Sequence, residues 1–156
     1  MTAVAATSET DGMAGRRAWM SVLAKAPAGA LARMMPDPLP SYVMLRQPET
    51  GLVMVRGRAG GHGQAFNLGE MTVTRCTVQI DRGIVGHAYI AGRDRRHAEL
   101  AAVADAMLQH SEHAARVMER VLEPLKQAAQ AALARRAQEA AATKVEFFTV
   151  AREAGQ

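Results

Sequence analysis

The stretch RGRAGGHGQAFNLGEMTVTRCTVQIDRGIVGHAYIAGRDRRHAEL, from Arg56 to Leu100, decides the fold of this 156-residue chain. Apolar and polar residues alternate from Glu70 to Ile80 and again from Ile84 to Ala91, as they do in strands that bury one face. The tight turn Asp81-Arg82-Gly83 joins these strands, since glycine accepts the positive φ that such turns need. The sequence therefore predicts an antiparallel β-meander.

The residues before this stretch predict two helices and two further strands. Apolar residues recur at helical spacing in Arg17 to Ala26, and Pro27 can start a second short helix. From Tyr42 the pattern changes: YVMLRQ, the turn PETG (48–51) and LVMVRGR predict a hairpin. The meander then has about four strands.

The residues after this stretch predict long helices and a final strand. Apolar residues return to helical spacing after Asp94, which is placed to cap the first turn, and Pro124 is expected to divide two helices. The segment KVEFFTV, Lys144 to Val150, alternates like an edge strand. The expected fold class is α+β, in a single domain over residues 15–152 that follows a disordered tail over residues 1–14.

The charge of the chain is concentrated in the predicted sheet. From Ser41 to Ala98 there are eight arginines, no lysine and four acids, an excess of +4 that equals the formal net charge of the whole chain. The guanidinium fork makes bidentate contacts with carboxylate or phosphate. We expect this region to meet an anionic ligand or partner.

Composition favours a cytoplasmic protein. Cys76 is the one cysteine, which excludes an internal disulfide framework. The N-terminal residues have no apolar run like that of a signal peptide, and no stretch approaches the length of a membrane span. A sequence pI near 9.8 permits nucleic-acid binding, but the basic strip lacks interleaved aromatics and lysines. A basic nucleic-acid-binding module therefore remains an alternative, and our prediction is no nucleic acid and no membrane.

The loop GRAGGHG, from Gly57 to Gly63, is a candidate anion site. Its glycines, which include Gly57, Gly60 and Gly61, could turn several amides toward one phosphate. The spacing excludes the Walker and Rossmann fingerprints. A plain hairpin connection explains the loop equally well.

His87, His97 and Glu99 are the candidates for acid, base or metal chemistry. They match no common zinc spacing, so we predict no metal site, and a self-standing enzyme that uses these three residues remains an alternative. Glu99 could instead serve the positive end of its helix. Cys76 shares a strand face with Val78, so the alternation predicts a buried, unreactive thiol.

Four runs resemble one family. LRxPExGLVMVRGRAGG (45–61), FNLGEMTVTRCTV (66–78), GHAYIAGRDRRHAEL (86–100) and TKVEFF (143–148) are similar to PhnG, a component of the bacterial carbon-phosphorus lyase system. The resemblance covers about residues 17–152 in the expected order.

The resemblance implies a non-self-sufficient subunit of a phosphonate-degrading complex. Its partners would be subunits I, H and J, with two copies of each in the core complex, and the ATP-binding-type subunit L. The complex displaces adenine from MgATP by a phosphonate, so MgATP would be a substrate of the complex and this chain would hold no cofactor. Subunit I is usually assigned the displacement itself. We expect the chain to dock on subunit I, with ligand or partner contacts from Arg56, Arg58, Arg75 and Arg93.

Overall fold

A computed structural model describes the backbone of residues 3–27 and 29–143 and the side chains of residues 12–27 and 29–143. The elements are α1 (Ala3–Lys25), α2 (Ala30–Met34), β1 (Val43–Arg58), β2 (Ala65–Gln79), β3 (Val85–Ala91), α3 (Arg95–Gln109), α4 (Ser111–Val117), a π-helical turn (Met118–Leu122) and α5 (Glu123–Ala142). This architecture confirms the predicted α+β class.

The sheet is an antiparallel meander in the order β1-β2-β3. The turn at residues 81–83 is confirmed: Arg82 and Gly83 both have positive φ, 59° and 74°. The hairpin predicted from Tyr42 is wrong, because residues 43–58 form one strand. The described residues therefore hold three strands where the sequence predicted four.

A bulge explains why PETG does not turn the chain. Arg46 pairs with Thr77 and Glu49 pairs with Arg75, so three steps along β1 match two along β2. Pro48 lies in this extra step, where its missing N–H is tolerated. The bulge also lies on an edge strand, since β1 has a neighbour on one side only among the described residues.

One face of the sheet packs on α3, and we call it the inner face. Cys76, Val78, Ala88 and Ile90 point to it and are buried. All eight residues from Ala101 to Leu108 are buried as well, and four of these are alanines, whose small side chains let a helix approach a sheet closely. This layer forms the core of the domain.

Gly86 marks the closest approach between β3 and α3. A Cβ built on Gly86 would lie 2.0 Å from the carbonyl oxygen of Ala102 and 2.6 Å from the amide nitrogen of Ala106. Both are backbone atoms that no rotamer change can move. Only glycine allows this spacing between strand and helix.

Asp105 ties three elements together from inside the core. Its side chain is fully buried, and its oxygens accept hydrogen bonds from Arg16 Nη2 at 2.7 Å, Arg16 Nε at 3.2 Å and Trp19 Nε1 at 2.8 Å. Oδ2 also accepts from the backbone amide of His87 on β3 at 2.9 Å. A charge without water is stable only when it is paired and hydrogen-bonded, and here α1 and β3 supply the donors.

The helices after the sheet begin as predicted and then break. Asp94 caps α3, because its Oδ1 accepts from the amide of His97 at 2.9 Å. The sequence pattern predicted a helix running on to Pro124, yet α3 ends at Gln109. His110 is extended there (φ −95°, ψ 122°), and its Nδ1 accepts from the amide of Glu112 at 3.2 Å, which caps α4. The buried imidazole thus restarts the helix.

Pro124 lies in the first turn of α5, where the sequence predicted that a second helix starts, but no loop separates the two helices. Residues 111–142 run through α4, the π turn and α5 without a loop. Pro124 lacks the N–H that would bond to the carbonyl of Arg120, and the π turn, which includes Arg120, comes immediately before α5. The helix therefore changes its hydrogen-bond pattern at the proline and continues.

The predicted N-terminal helix, Arg17 to Ala26, is confirmed in α1, which begins earlier, at Ala3. The start of α1 lies within residues 1–14, which the sequence assigned to a tail. The predicted final strand, 144–150, lies outside the described residues. The domain limits of 15–152 stay a prediction.

Candidate functional site

The second face of the sheet, which we call the outer face, carries the candidate site. Residues that pair across strands share a face, and Arg75 pairs with both Glu49 and Tyr89. Their side chains are exposed, opposite to the buried Cys76. The helix α3 packs on the inner face and leaves these side chains open to solvent.

An apolar patch covers the outer face on the β1–β2 hairpin. Met71 pairs with Val53, and Val55 follows on the same face. A Cβ built on Gly57 would lie 3.9 Å from both Phe66 and Leu68, so these two side chains also lie on the outer face. We define the apolar patch as Val53, Val55, Phe66, Leu68 and Met71.

Large apolar side chains remain exposed in the patch, as Leu52 and Met54 do on the opposite face of the hairpin. Phe66 is 47% exposed, Leu68 66% and Met71 43%. Scattered apolar residues are normal on a surface, but contiguous ones mark an interaction site. The patch extends toward Tyr89, which is 50% exposed and belongs to a residue type enriched at binding hot spots.

A charged cluster borders the patch. The Glu49 carboxylate accepts from Arg75 Nε at 2.8 Å and from Arg46 Nη1. The hydrogen bond from Arg46 is the main reason that the pKa of Glu49 is lowered, and the bond and charge of Arg75 lower it further. Two guanidinium groups share one carboxylate, so the cluster has an excess positive charge that a partner carboxylate could meet.

The structure does not bring the four predicted arginines together. Arg75 lies on the outer face. Arg56 and Arg58 follow Met54 on the opposite face of the hairpin, and Arg56 is seven residues beyond Glu49 along β1, about 23 Å away at roughly 3.3 Å per residue. Arg93 is exposed in the loop between β3 and α3. They can contact one large partner, but they cannot surround one small anion.

The GRAGGHG loop is the connection between β1 and β2. Gly60 and Gly61 have φ of 58° and 79°, values that favour glycine. Arg58 Nη1 donates to the carbonyl of Gly63 at 3.1 Å, and His62 Nδ1 lies 3.1 Å from the carbonyl of Gly60. These bonds stabilise the loop from within, as a hairpin connection requires. Anion binding by Gly57, Gly60 and Gly61 stays a prediction.

His87, His97 and Glu99 do not form one catalytic group. His87 is exposed on the outer face, where its Nδ1 lies 3.2 Å from Thr77 Oγ1. His97 is buried, with Nε2 2.8 Å from the carbonyl of Leu23, and so holds the last turn of α1. Glu99 faces a third environment, beside Tyr42. The alternative that uses all three in one active site therefore has no support from their positions.

Glu99 connects the chain before the sheet to α3. It accepts from the Tyr42 hydroxyl and pairs with Arg96 at 3.0 Å. The hydrogen bond to Glu99 is the main cause that raises the pKa of Tyr42, with burial and the charge of Glu99 adding to it. The same carboxylate raises the pKa of Arg96. These structural contacts favour the neutral hydroxyl of Tyr42 and the charged guanidinium of Arg96.

Cys76 is buried, as the strand alternation predicted. Cys76 is 1% exposed, and burial is the main cause that raises the pKa of its thiol, which keeps it unreactive. Within residues 3–27 and 29–143, no three histidine, cysteine, aspartate or glutamate side chains come together as a metal-binding group.

Sequence reasoning missed Asp105, the most connected side chain of the core. It had a signal: Asp105 is the only charged residue between Glu99 and Glu112. A lone acid among buried alanines requires buried donors. Which donors meet it could not be read from the sequence, because Arg16 and Trp19 lie more than 80 residues away.

No helix in the part of the chain that the structure describes is long and apolar enough to span a bilayer. Residues 14–153 match the family model described as "Phosphonate metabolism protein PhnG". The chain is also 46% identical over 150 residues to the alpha-D-ribose 1-methylphosphonate 5-triphosphate synthase subunit PhnG of Rhizobium meliloti (strain 1021), covering 95% of this chain and 96% of that relative. The chain therefore belongs to the PhnG family of phosphonate metabolism proteins.

Proposed function

We propose that this chain is a docking subunit of a cytoplasmic complex that makes ribose 1-phosphonate 5-triphosphates from MgATP and a phosphonate, with release of adenine. In this role it binds subunit I through the outer face and supports the displacement without supplying a nucleophile. Subunits H, J and L would complete the assembly, with two copies of this chain in the core complex. MgATP is a substrate of the complex in this proposal, and the chain holds no cofactor of its own.

The observation that carries the proposal is the exposed apolar patch beside the Glu49, Arg46 and Arg75 cluster. An isolated two-stranded hairpin is marginally stable, yet this one exposes its largest side chains to water. Burial of apolar area contributes roughly 25 cal/mol per Å². A partner that covers the patch would therefore stabilise both the hairpin and the complex.

The surroundings of the patch also favour a protein partner over a small substrate. The outer face is the open side of a sheet, whereas small-molecule sites are concave and enclose most of the ligand. The relative from Rhizobium meliloti is named as a subunit of a synthase, which agrees with a chain that works inside an assembly.

The four arginines have separate parts in this proposal. Arg75 lies on the docking face and would meet a carboxylate of subunit I. Arg56 and Arg58, at the far end of the hairpin, and Arg93, in the loop before α3, would reach beyond that interface toward partner acids or the triphosphate. Removing one buried charge-assisted pair costs roughly 2 to 5 kcal/mol.

The test is adenine release by subunits H, I and L, co-expressed with and without this chain and supplied with MgATP and a phosphonate. We expect release to be lost when the chain is omitted and restored when it is co-expressed. If subunit I is then insoluble or unassembled, the chain acts by docking. Undiminished adenine release without the chain would contradict the proposal.

Alanine variants separate docking from a role at the reacting site. Arg75→Ala is expected to weaken assembly. A combined Arg56→Ala, Arg58→Ala and Arg93→Ala variant is expected to assemble and to lose adenine release. A variant with alanine at all four positions, Arg56, Arg58, Arg75 and Arg93, tests the arginine contacts together. If it leaves assembly and adenine release unchanged, the proposed arginine contacts are wrong, even if the complex still requires this chain.

A further inference from the structure

A groove lies between α1 and the free edge of β3. It has a volume of about 520 Å³, within the range of about 300 to 1,000 Å³ that is typical of binding sites. Met20 and Ala24 on α1, Ile90 on β3 and Ala101 on α3 line it with apolar surface. Because β3 is the last strand of the described sheet, a strand edge forms one wall of the groove and a helix forms the other.

The two walls of the groove run side by side. Near the start of β3, Arg16 Nη2 on α1 donates to the carbonyl of Val85 at 3.2 Å. Beyond the end of β3, His97 Nε2 lies 2.8 Å from the carbonyl of Leu23, in the last turn of α1. Residue numbers therefore rise in the same direction along both walls, and the groove follows the direction of the strand.

The backbone of β3 turns alternate residues toward this groove. The amide of Gly92 donates to β2, at the carbonyl of Thr72. Successive residues of a strand direct their N–H and C=O groups to opposite sides, so residues 85, 87, 89 and 91 direct theirs to the open edge. The amide of His87 agrees with this, because it donates to Asp105 Oδ2 and not to β2.

This edge is occupied at its start and open further along. Side chains of α1 and α3 bond to the carbonyl of Val85 and to the amide of His87. Within the part of the chain that the structure describes, no group bonds to the N–H or C=O of Tyr89 or Ala91. Backbone groups beside apolar surface need a partner, and two such pairs at strand spacing suit an added strand.

The groove also carries positive charge. The described residues that line it include Arg16 and Arg17 and no aspartate or glutamate. Asp105 meets the charge of Arg16 at 2.7 Å. Arg17 is exposed, and no acidic side chain among residues 12–27 and 29–143 forms a salt bridge with it. A ligand with a carboxylate next to an apolar group would therefore complement both the charge and the lining.

We propose that this groove binds an extended acidic segment of another protein, which adds as a strand to the edge at Tyr89 and Ala91. Alternate side chains of the segment face α1, with an apolar one over Met20 and Ala24 and an acidic one beside Arg17. In strand addition the main-chain hydrogen bonds give affinity and the pockets for alternate side chains give specificity. A compact anion would leave the edge unpaired. The inference goes beyond docking of the outer face and does not depend on it.

A short synthetic peptide tests the site in the isotope-labelled full-length chain, followed by its amide NMR spectrum. The probe is acetyl-Glu-Thr-Leu-Thr-Glu-amide, which places leucine between two glutamates on one face and has the same side-chain order in either strand direction. We expect saturable shifts of the Tyr89 and Ala91 amide resonances. The His87 amide is the internal reference and should shift less, because Asp105 already occupies it.

Charge reversal tests the acidic contact. Arg17→Glu should weaken binding of the probe at least about tenfold and should favour the same peptide with lysine in place of glutamate. Lys25→Glu is the matched control, because it makes the same change on α1 at an exposed residue that does not line the groove. It should change binding less than about threefold. An unchanged His97 amide resonance would show that each variant keeps α1 packed on α3, and Arg17→Ala should bind with intermediate affinity.

Three results would overturn the proposal. The first is the absence of saturable shifts in the wild-type chain at millimolar peptide, or shifts confined to the apolar patch. The second is equal weakening by Arg17→Glu and Lys25→Glu. The third comes from N-acetylglutamate at the same concentration: if it shifts Tyr89 and Ala91 as much as the peptide does, the groove binds a compact anion and no strand is added.

Discussion

The two faces of the sheet differ in how their apolar side chains are covered. On the inner face Cys76 and Val78 are within 1% of complete burial, under a helix whose alanines allow backbone contact. On the outer face, Met71 and Leu68 belong to the same strand and are 43% and 66% exposed. The difference teaches that strand pattern alone does not build a core. The part of the inner face under α3 is covered within the chain, whereas Leu52 and Met54 on the inner side of the hairpin and the apolar side chains of the outer face stay exposed.

The largest effect should come from Asp105, which holds α1 against the inner layer. Asp105→Ala removes the carboxylate that pairs with Arg16 and accepts from Trp19, and breaking a buried pair in this way costs about 3 to 5 kcal/mol. Urea denaturation of the isolated chain measures this loss of unfolding free energy. Glu112→Ala removes an exposed pair with Arg82 and should change the free energy of unfolding by no more than about 1 kcal/mol. Equal losses of unfolding free energy in the two variants would mean that Asp105 stabilises the fold no more than an exposed ion pair does.

Gly86→Ala should cause the next largest loss of stability. The new Cβ would overlap the backbone of Ala102 and Ala106, and overpacking of this kind costs about 1 to 3 kcal/mol, occasionally more. Gly51→Ala is the control on β1, since a Cβ there has no atom within 4 Å. We expect its melting temperature to stay near that of the wild type. A drop as large as that of Gly86→Ala would refute the close approach.

Outer-face substitutions should affect the free chain much less. Met71→Asp places a charge where water already reaches the side chain, so the free energy of unfolding should fall by at most about 1 kcal/mol, the span of strand propensities. Chemical denaturation of the purified chain is the measurement. A loss comparable to that of Asp105→Ala would show that the patch is already covered in the isolated protein.

The smallest expected effect is a change in how the stability of the chain depends on pH, and it comes from Tyr42. The pKa of Tyr42 is raised above its ordinary value of 10.0, so above pH 10 the unfolded chain releases this proton before the folded chain does. The stability that Tyr42 contributes is thus fully present below pH 10 and is lost as the pH rises through its folded pKa. Tyr42→Phe should show a shallower fall of stability above pH 10, measured by urea midpoints. An unchanged slope would contradict the bond to Glu99.

Much of the layer formed by β2, β3 and α3 could be predicted from the local sequence pattern. Alternation located β2 and β3, the Asp81 turn needed glycine, and Asp94 identified the start of α3. The errors came from interactions between distant segments. Pro48 and Gly51 have turn chemistry, but pairing of Glu49 with Arg75 keeps β1 in one strand with a bulge. Likewise His110 ends α3 through a cap that spacing does not reveal.

The candidate site was predictable in part. The sequence indicated an arginine-rich sheet, yet it could not divide the arginines between faces, because the register shifts between Met44 and Glu49 and beside Val55 set which face each residue takes. Exposure of Phe66 and Leu68 was equally hidden, since an apolar strand residue is ordinarily buried. The structural contact of His97 was hidden as well, because the carbonyl of Leu23 that it meets is 74 residues away in the sequence.

The most direct test of the docking face compares Met71→Asp with Met54→Asp for binding to subunit I. The two methionines lie one pair apart on the same hairpin, on opposite faces, with 43% and 53% exposure. We predict that Met71→Asp weakens the dissociation constant at least about 30-fold, which is roughly 2 kcal/mol, while Met54→Asp changes it less than about threefold. Equal weakening by both variants, or by neither, would contradict docking through the outer face.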